Sequence, residues 1–346
     1  MAGAPRPRPG IGVLFQGWGT PDQRDSAVLD EVCRATVLAD RLGFDVAWFT
    51  EQHGPMFGGV SGRIAAPHLL IAGLAGATGR IGLGTAVRLV ADTAPERVAE
   101  ELATLDLLTG GRVRYGLGAG SARGPGGPAG RAGRRAAFRR AALELVGLLR
   151  TGGRGRDLGL RLPDLSRRLL VASVDPLSVE LAAREGLGYF VGMFGGARHP
   201  DLVEGFRSVG GTGQVRAARL VHVAESDAAA RRVAEVAAEH FWPRFVAPTA
   251  PRPVAVPRPR ASWSLDDVRG QLGWVVGSPT TVARELGAYV TACALDGVDA
   301  CFQLPGLPAA EALRSMELFA TEVAPRLAPL LGRAGPVPAV RLVAGG

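Results

Sequence analysis

The chain has no lysine and no asparagine among its 346 residues, so all 40 residues of the Lys+Arg total are Arg. Without Lys there is no Walker P-loop, no Schiff-base or pyridoxal enzyme and no kinase-type phosphate lysine. Without Asn there is no N-glycosylation site. Both missing residues have AT-rich codons, so a GC-rich genome explains the bias more simply than phosphate recognition does. The formal charge of +8 is then weak support for a nucleic-acid partner, and no helix carries a dense basic stripe. Cysteine is scarce as well. Cys33, Cys293 and Cys301 are widely spaced and form no C-x-x-C, which points to reduced thiols rather than a zinc or disulfide framework. The five His show no metal spacing such as H-E-x-x-H. No stretch approaches the run of about 18 apolar residues that spans a bilayer. The Pro/Arg-rich start, residues 1–10, lacks the apolar core of a signal peptide. It reads as a disordered lead, and the protein as cytoplasmic.

What is present is an alternation of apolar strands with helices. Strands are expected at Ile11–Phe15, Val46–Thr50, Ile81–Val87, Val113–Gly118, Leu169–Val174, Tyr189–Phe194, Ala217–Val223 and Ala300–Leu304. Helices are expected between them, among others at 26–42, Pro67–Ala77, Ala94–Leu108, Ser178–Glu185, Asp227–Phe245 and Thr280–Ala292. Gly43, Gly79 and Gly110-Gly111 sit at helix ends, where a left-handed residue is needed. The strands are apolar enough to be buried on both faces, which predicts a parallel sheet. Eight such units predict an α/β fold closed as a (β/α)8 TIM barrel, with a doubly wound open sheet as the alternative. Residues 11–331 form that single barrel domain. Gly120–Gly133 reads as a flexible loop, 248–260 as a Pro-rich, exposed insertion, and 332–346 as a loose tail.

Polar or Gly-rich residues collect where strands end, which is where a barrel builds its site. The second strand runs into Glu51-Gln52-His53. The third ends Thr85-Ala86-Val87-Arg88, and the fourth Gly116-Leu117-Gly118-Ala119-Gly120. The last of these lacks the third Gly of a dinucleotide fingerprint at the required spacing, where Ser121 stands.

The order and wording of these segments resemble the bacterial-luciferase-like flavin monooxygenases. Gly186–Phe190, Val223–Asp227, Val276–Arg284 and Asp296–Gln303 followed by Glu317–Leu327 extend the resemblance over roughly residues 10–331. The resemblance implies a TIM barrel that binds reduced FMN supplied by a separate flavin reductase, and O2. One oxygen atom goes to a small organic substrate, here in the setting of natural-product biosynthesis. One branch of the family instead uses the deazaflavin F420 to move a hydride. A third possibility is a non-catalytic subunit or ligand-binding barrel that kept the fold. The family also implies a dimer, either of identical chains or with a related barrel, and the helix at Pro67–Ala77 is apolar nearly all round.

Carried onto this sequence, the resemblance gives a set of expected site residues. The first His of the family's Glu-His-His is Gln52 here, an amide that holds a partner by hydrogen bonds but exchanges no proton near pH 7. His53 keeps the second His and can act as acid or base, or be a structural His bonded to Glu51. A non-proline cis bond is expected at Ala86–Val87, supporting the flavin ring. Phe15, Ala86, Val87 and Gly118, which stands where luciferases carry a Cys, are expected under or beside that ring. Arg88 points at the flavin or an anionic substrate, or else forms an outer ion pair. Ser178, at a helix start, is expected at the flavin phosphate. Asp175 falls where the family often has Ser, and a carboxylate about 5 Å from a phosphate costs roughly 3 kcal/mol per unit charge at an effective dielectric near 20. Arg123, with Arg131 and Arg134, is the expected compensation.

Overall fold

The computed structural model describes residues 10–19, 23–53, 62–120, 127–156, 158–194, 196–241, 264–304 and 306–331. The expected insertion at 248–260, the tail at 332–346 and Arg123 lie outside those residues.

The chain opens with β1 (Ile11–Phe15), α1 (Asp25–Leu42), β2 (Val46–Phe49), α2 (Pro67–Ala75), β3 (Gly82–Leu89) and α3 (Pro95–Thr109). It continues through β4 (Val113–Gly118), α4 (Gly127–Thr151), β5 (Leu169–Val171), α5 (Pro176–Arg184), β6 (Gly188–Phe190) and α6 (His199–Ser208). It ends with β7 (Val215–Val223), α7 (Asp227–Phe241), α8 (Leu265–Leu272), β8 (Val275–Gly277), α9 (Pro279–Ala292), β9 (Gly297–Cys301) and α10 (Ala309–Leu318). β1 through β7 pair in sequence, all parallel, and β9 joins β7 to β1, which closes an eight-stranded barrel. The ninth strand, β8, pairs only with the end of β7, at Val221–Val223, beyond the part of β7 that pairs with β6.

Helix ends follow their local chemistry. Gly43 closes α1 in the left-handed conformation with φ of 82°, and its N–H returns to the Ala39 and Asp40 carbonyls. A side chain there would be strained, which is why Gly is favoured. Strand alternation then divides the core into two layers. Val13, Phe15, Ala47 and Phe49 belong to the layer between strands and helices, whereas Leu14, Val46, Trp48, Leu170, Phe190, Ala218 and Cys301 share the inner cluster.

Two expectations need correction. Gly127–Gly133 was expected in a flexible loop but begins the 25-residue α4. Three Gly weaken this start, while the Arg- and Ala-rich remainder packs Phe138, Ala142, Leu145 and Leu149 into the outer layer with almost no exposure. No strand was expected between Val223 and Ala300, yet Val275–Gly277 forms β8 just ahead of the expected helix, which is α9. A run this short carries no periodicity that separates strand from helix.

Candidate active site

The inner space of the barrel is filled at the strand starts and polar at the strand ends. At the starts, Asp299 on β9 takes a bidentate pair from Arg216 on β7, at 2.6 and 3.0 Å, and a hydrogen bond from Trp48 Nε1 at 2.9 Å. Gly12 and Gly297 give this plug its room, since a Cβ would stand 2.1 Å from Asp299 Oδ1 and 2.5 Å from Arg216 Nη1, respectively. Neither charge reaches solvent, so this end is a packed floor.

At the strand ends the inward positions carry amides. Gln16 follows β1, Gln52 follows β2 and Gln303 follows β9. Gln52 Nε2 donates to Gln16 Oε1 at 2.7 Å and to Thr50 Oγ1 at 3.2 Å, while Gln52 Oε1 accepts from the Gly62 N–H at 2.6 Å. Gln303 Oε1 accepts from the Gln16 and Gly17 N–H groups at 3.0 and 3.2 Å. Every acceptor of this cluster is uncharged. Trp18, Met193 and Phe190 are buried in the inner cluster nearby, with Ala86 and Ala172 packed against it. Ala86 within β3, Gly118 at the end of β4 and Ala172 just past β5 make that side of the barrel one of small residues.

The Ala86–Val87 peptide bond is cis. Gly118 lies against it, because a Cβ at Gly118 would stand 2.4 Å from Val87 Cγ2. A side chain at 118 and the Val87 side chain cannot occupy the same place. Gly is therefore set by packing here, whatever else the position does.

Phe15 does not line the mouth. It is stacked on Phe49 in the outer layer, with ring centroids 5.7 Å apart. Alternation turns its neighbour Gln16 inward instead. Arg88 is held in the outer ion pair. Its Nη1 lies 3.1 Å from Glu51 and its Nε 3.1 Å from Glu101, with Tyr115 Oη also bonded to Glu101. Burial opposes its charge, but Glu101 and Glu51 outweigh that and raise its pKa. His53 reaches Glu51 with Nε2 at 2.9 Å and its side chain is 59% exposed. It stands on the rim, outside the amide cluster.

The phosphate expectation is altered most. Asp175 is the N-cap of α5, and its carboxylate accepts from both the N–H and the Oγ of Ser178, at 3.2 and 2.8 Å. Ser178 is fully buried, so its hydroxyl is committed to Asp175. The compensating cations come from α4: Arg139 at 2.7 Å and Arg135 at 3.5 Å. Arg134 pairs with Asp92 instead, at 2.6 Å. With Gln52 committed inside the cluster, Gln16 and Gln303 are the amides that could meet a carbonyl-bearing ring, whereas a phosphate at the start of α5 would meet the Asp175 carboxylate.

Sequence reasoning missed Gln16, Gln303, Arg135 and Arg139. The first two were legible, being polar residues one or two positions past a strand and in its inward phase. The two Arg were not, because α4 was not read as a helix.

The profile of the family described as luciferase-like monooxygenase matches residues 10–295. The chain belongs to that family. Among curated relatives, 4-hydroxyprotoasukamycin monooxygenase of Streptomyces nodosus subsp. asukaensis is 42% identical over 82 residues, 24% of this chain and 21% of that protein. The chain spans about a quarter of the length of the curated relatives it matches. Among solved structures, a monooxygenase of Streptomyces bottropensis has a TM-score of 0.74 at 21% identity, covering 91% of this chain and 98% of that one. The oxygenating constituent of 3,6-diketocamphane monooxygenase from Pseudomonas putida, in complex with FMN, has a TM-score of 0.74 at 18% identity, covering 92% and 98%. An F420-dependent secondary alcohol dehydrogenase has a TM-score of 0.65 at 15% identity, covering 92% and 99%. At these identities the likeness is one of fold. Among the described residues no helix is long and apolar enough to cross a membrane, and no cluster of His, Cys, Asp and Glu could hold a metal.

Proposed function

We propose that the protein is a flavin-dependent monooxygenase that receives reduced FMN from a separate reductase and places one oxygen atom of O2 on a small organic molecule. The observation that carries this reading is the uncharged, amide-lined barrel mouth on a chain of the luciferase-like monooxygenase family. A reduced flavin supplies the electrons that O2 activation requires. The residues of this chain supply the setting. Gln16 and Gln303 orient carbonyl groups through their amide N–H groups without exchanging protons, and Gln52, whose own amide is committed to Gln16, Thr50 and Gly62, holds Gln16 in place. Trp18, Phe190 and Met193 keep water from the inner end of the mouth. His53, backed by Glu51, is the imidazole at the rim that exchanges protons with solvent. The likeness to 4-hydroxyprotoasukamycin monooxygenase supports a natural-product substrate. The chain is further proposed to work as a dimer.

Titration of the protein with FMN and with F420, each oxidised and reduced, tests the reading. Micromolar binding of reduced FMN, with F420 weaker, is expected. Tight F420 binding in place of FMN would favour hydride transfer, as the F420-dependent fold neighbour allows. A chain that binds neither cofactor at high micromolar concentration is a non-catalytic barrel.

A further inference from the structure

The start of α5 faces the same end of the barrel as the amide cluster, because it follows the C-terminal end of β5. A helix start of this kind attracts anions through its unpaired N–H groups and its dipole. Here those groups are already spent. Pro176, the first helical residue, has no N–H. The Ser178 N–H and hydroxyl both go to Asp175. The Asp175 N–H goes to Ser173 Oγ at 3.1 Å. At most the Leu177 N–H is left in the first turn. The Asp175 side chain is 11% exposed, and Arg139 and Arg135 of α4 hold its carboxylate. An anion at a helix start with two guanidiniums behind it is the arrangement a phosphate would take, and a side chain of the protein already occupies it.

We propose that Asp175 is the resident anion of this site and closes it to a phosphate. Where the flavin reading holds, on which this consequence rests, the ring is held at the mouth and the terminal phosphate gains nothing at α5. Asp175 thereby lowers the preference for FMN over its unphosphorylated form, riboflavin.

Three proteins test this: wild type, Asp175→Ser and Asp175→Asn. Ser and Asn are both good N-caps, so the helix start is kept while the charge is lost. Affinities for FMN and riboflavin are measured by flavin fluorescence, and the melting temperature is recorded with and without inorganic phosphate. Wild type is expected to bind the two flavins within about threefold of each other and to ignore phosphate. In Asp175→Ser the preference for FMN should rise by about tenfold, roughly 1.4 kcal/mol, and phosphate should raise the melting temperature. Asp175→Asn should show the same direction. The proposal is overturned if wild type prefers FMN by tenfold or more and the variants do not increase that preference. It is also overturned if phosphate leaves both variants' melting temperatures unmoved. If no flavin binds to wild type or variant, the flavin reading fails, and the phosphate arm alone decides the role of Asp175.

Discussion

Asp299 accepts from Arg216 and Trp48 with no exposed surface, so removing its carboxylate leaves a guanidinium buried without its main counter-charge. Asp45, 3.3 Å from Arg216 and 40% exposed at its side chain, compensates only in part. Breaking one partner of such a pair typically costs about 3–5 kcal/mol, whereas replacing both by apolar groups of similar volume is often close to neutral. Asp299→Ala is therefore expected to lose about that much in urea denaturation, and the double change Asp299→Leu with Arg216→Leu to recover most of it. His53 is tested differently. His53→Ala should lower turnover by about 10²-fold or more while leaving flavin affinity within about twofold, since the ring stands on the rim and not in the amide cluster. Unchanged turnover would reduce His53 to a partner of Glu51. At this scale the sequence was legible where a strand's phase could be counted. Gln52, expected as a hydrogen-bonding amide, is found buried and bonded to Gln16, Thr50 and Gly62, while Phe15 is displaced by Gln16 because the strand's last residue and the one after it face opposite ways. Arg88 and Ser178 were legible as polar groups near strand ends, but not their partners, which are Glu51 and Glu101 of α3 for Arg88 and Asp175 for Ser178.

Helix α6, strand β7 and helix α9 meet at a buried histidine whose protonation state couples them. His199 Nε2 lies 3.0 Å from the Phe194 carbonyl and therefore carries the proton, while Nδ1 accepts from Tyr289 Oη at 2.5 Å and from Arg219 at 3.2 Å. Arg219 lies over the Tyr289 ring, 3.8 Å from its centroid. Burial first, then the Arg219 cation, lower the His199 pKa from 6.5 to about 4. Between those values the unfolded chain binds a proton that the folded protein does not. The stability this neutral ring contributes is complete above about pH 6.5 and falls as pH drops towards 4, by about 1.4 kcal/mol per pH unit. The melting temperature should fall over that window, with His222, also lowered by burial, acting in the same direction. His199→Gln keeps a donor for Phe194 and an acceptor for Arg219 and carries no titrating ring. It should flatten the fall between pH 6.5 and 4.5, and a profile as steep as wild type's would sink the assignment. None of this clamp was legible beforehand, since its groups lie far apart in sequence and only the packed elements bring them together. The elements themselves were legible. Strands buried on both faces read as apolar runs, so seven barrel strands lie at or within a few residues of their expected places, while the last begins three residues earlier, at Gly297. Gly43 and Gly110 mark helix ends in the left-handed conformation, whereas α2 ends at Ala75, ahead of Gly79, which is not left-handed. What failed were α4, whose opening glycines resemble a loop, and β8, too short to carry a pattern.

The closed barrel hides most apolar side chains but leaves several leucines outside, among them three on the neighbouring helices α2 and α3. Leu69 on α2 is 67% exposed, and Leu107 and Leu108 on α3 are 73% and 55% exposed. α2 and α3 pack on one another through the barrel's first half, joined by Arg112, which donates to the Ala75 carbonyl at 2.8 Å and to the Thr109 carbonyl at 2.7 Å. α2 buries Ile71 and Leu74 on one side, so its apolar character all round is only half satisfied within one chain. Scattered exposed leucines need no explanation; the dimer implied by the family resemblance is proposed to use those of α2 and α3. A second copy meeting the same surface would make a two-fold interface in which each patch covers the other. The expected outcome is a particle of twice the 35.9 kDa chain mass by light scattering at micromolar concentration. Replacing Leu69 and Leu107 together by Glu places charges on the patch where they are solvated in a monomer but buried in a dimer. The doubly substituted protein should be monomeric, with a circular dichroism spectrum unchanged from wild type. A wild-type chain that is already monomeric, or a dimer that survives both substitutions, would place any partner elsewhere on the barrel.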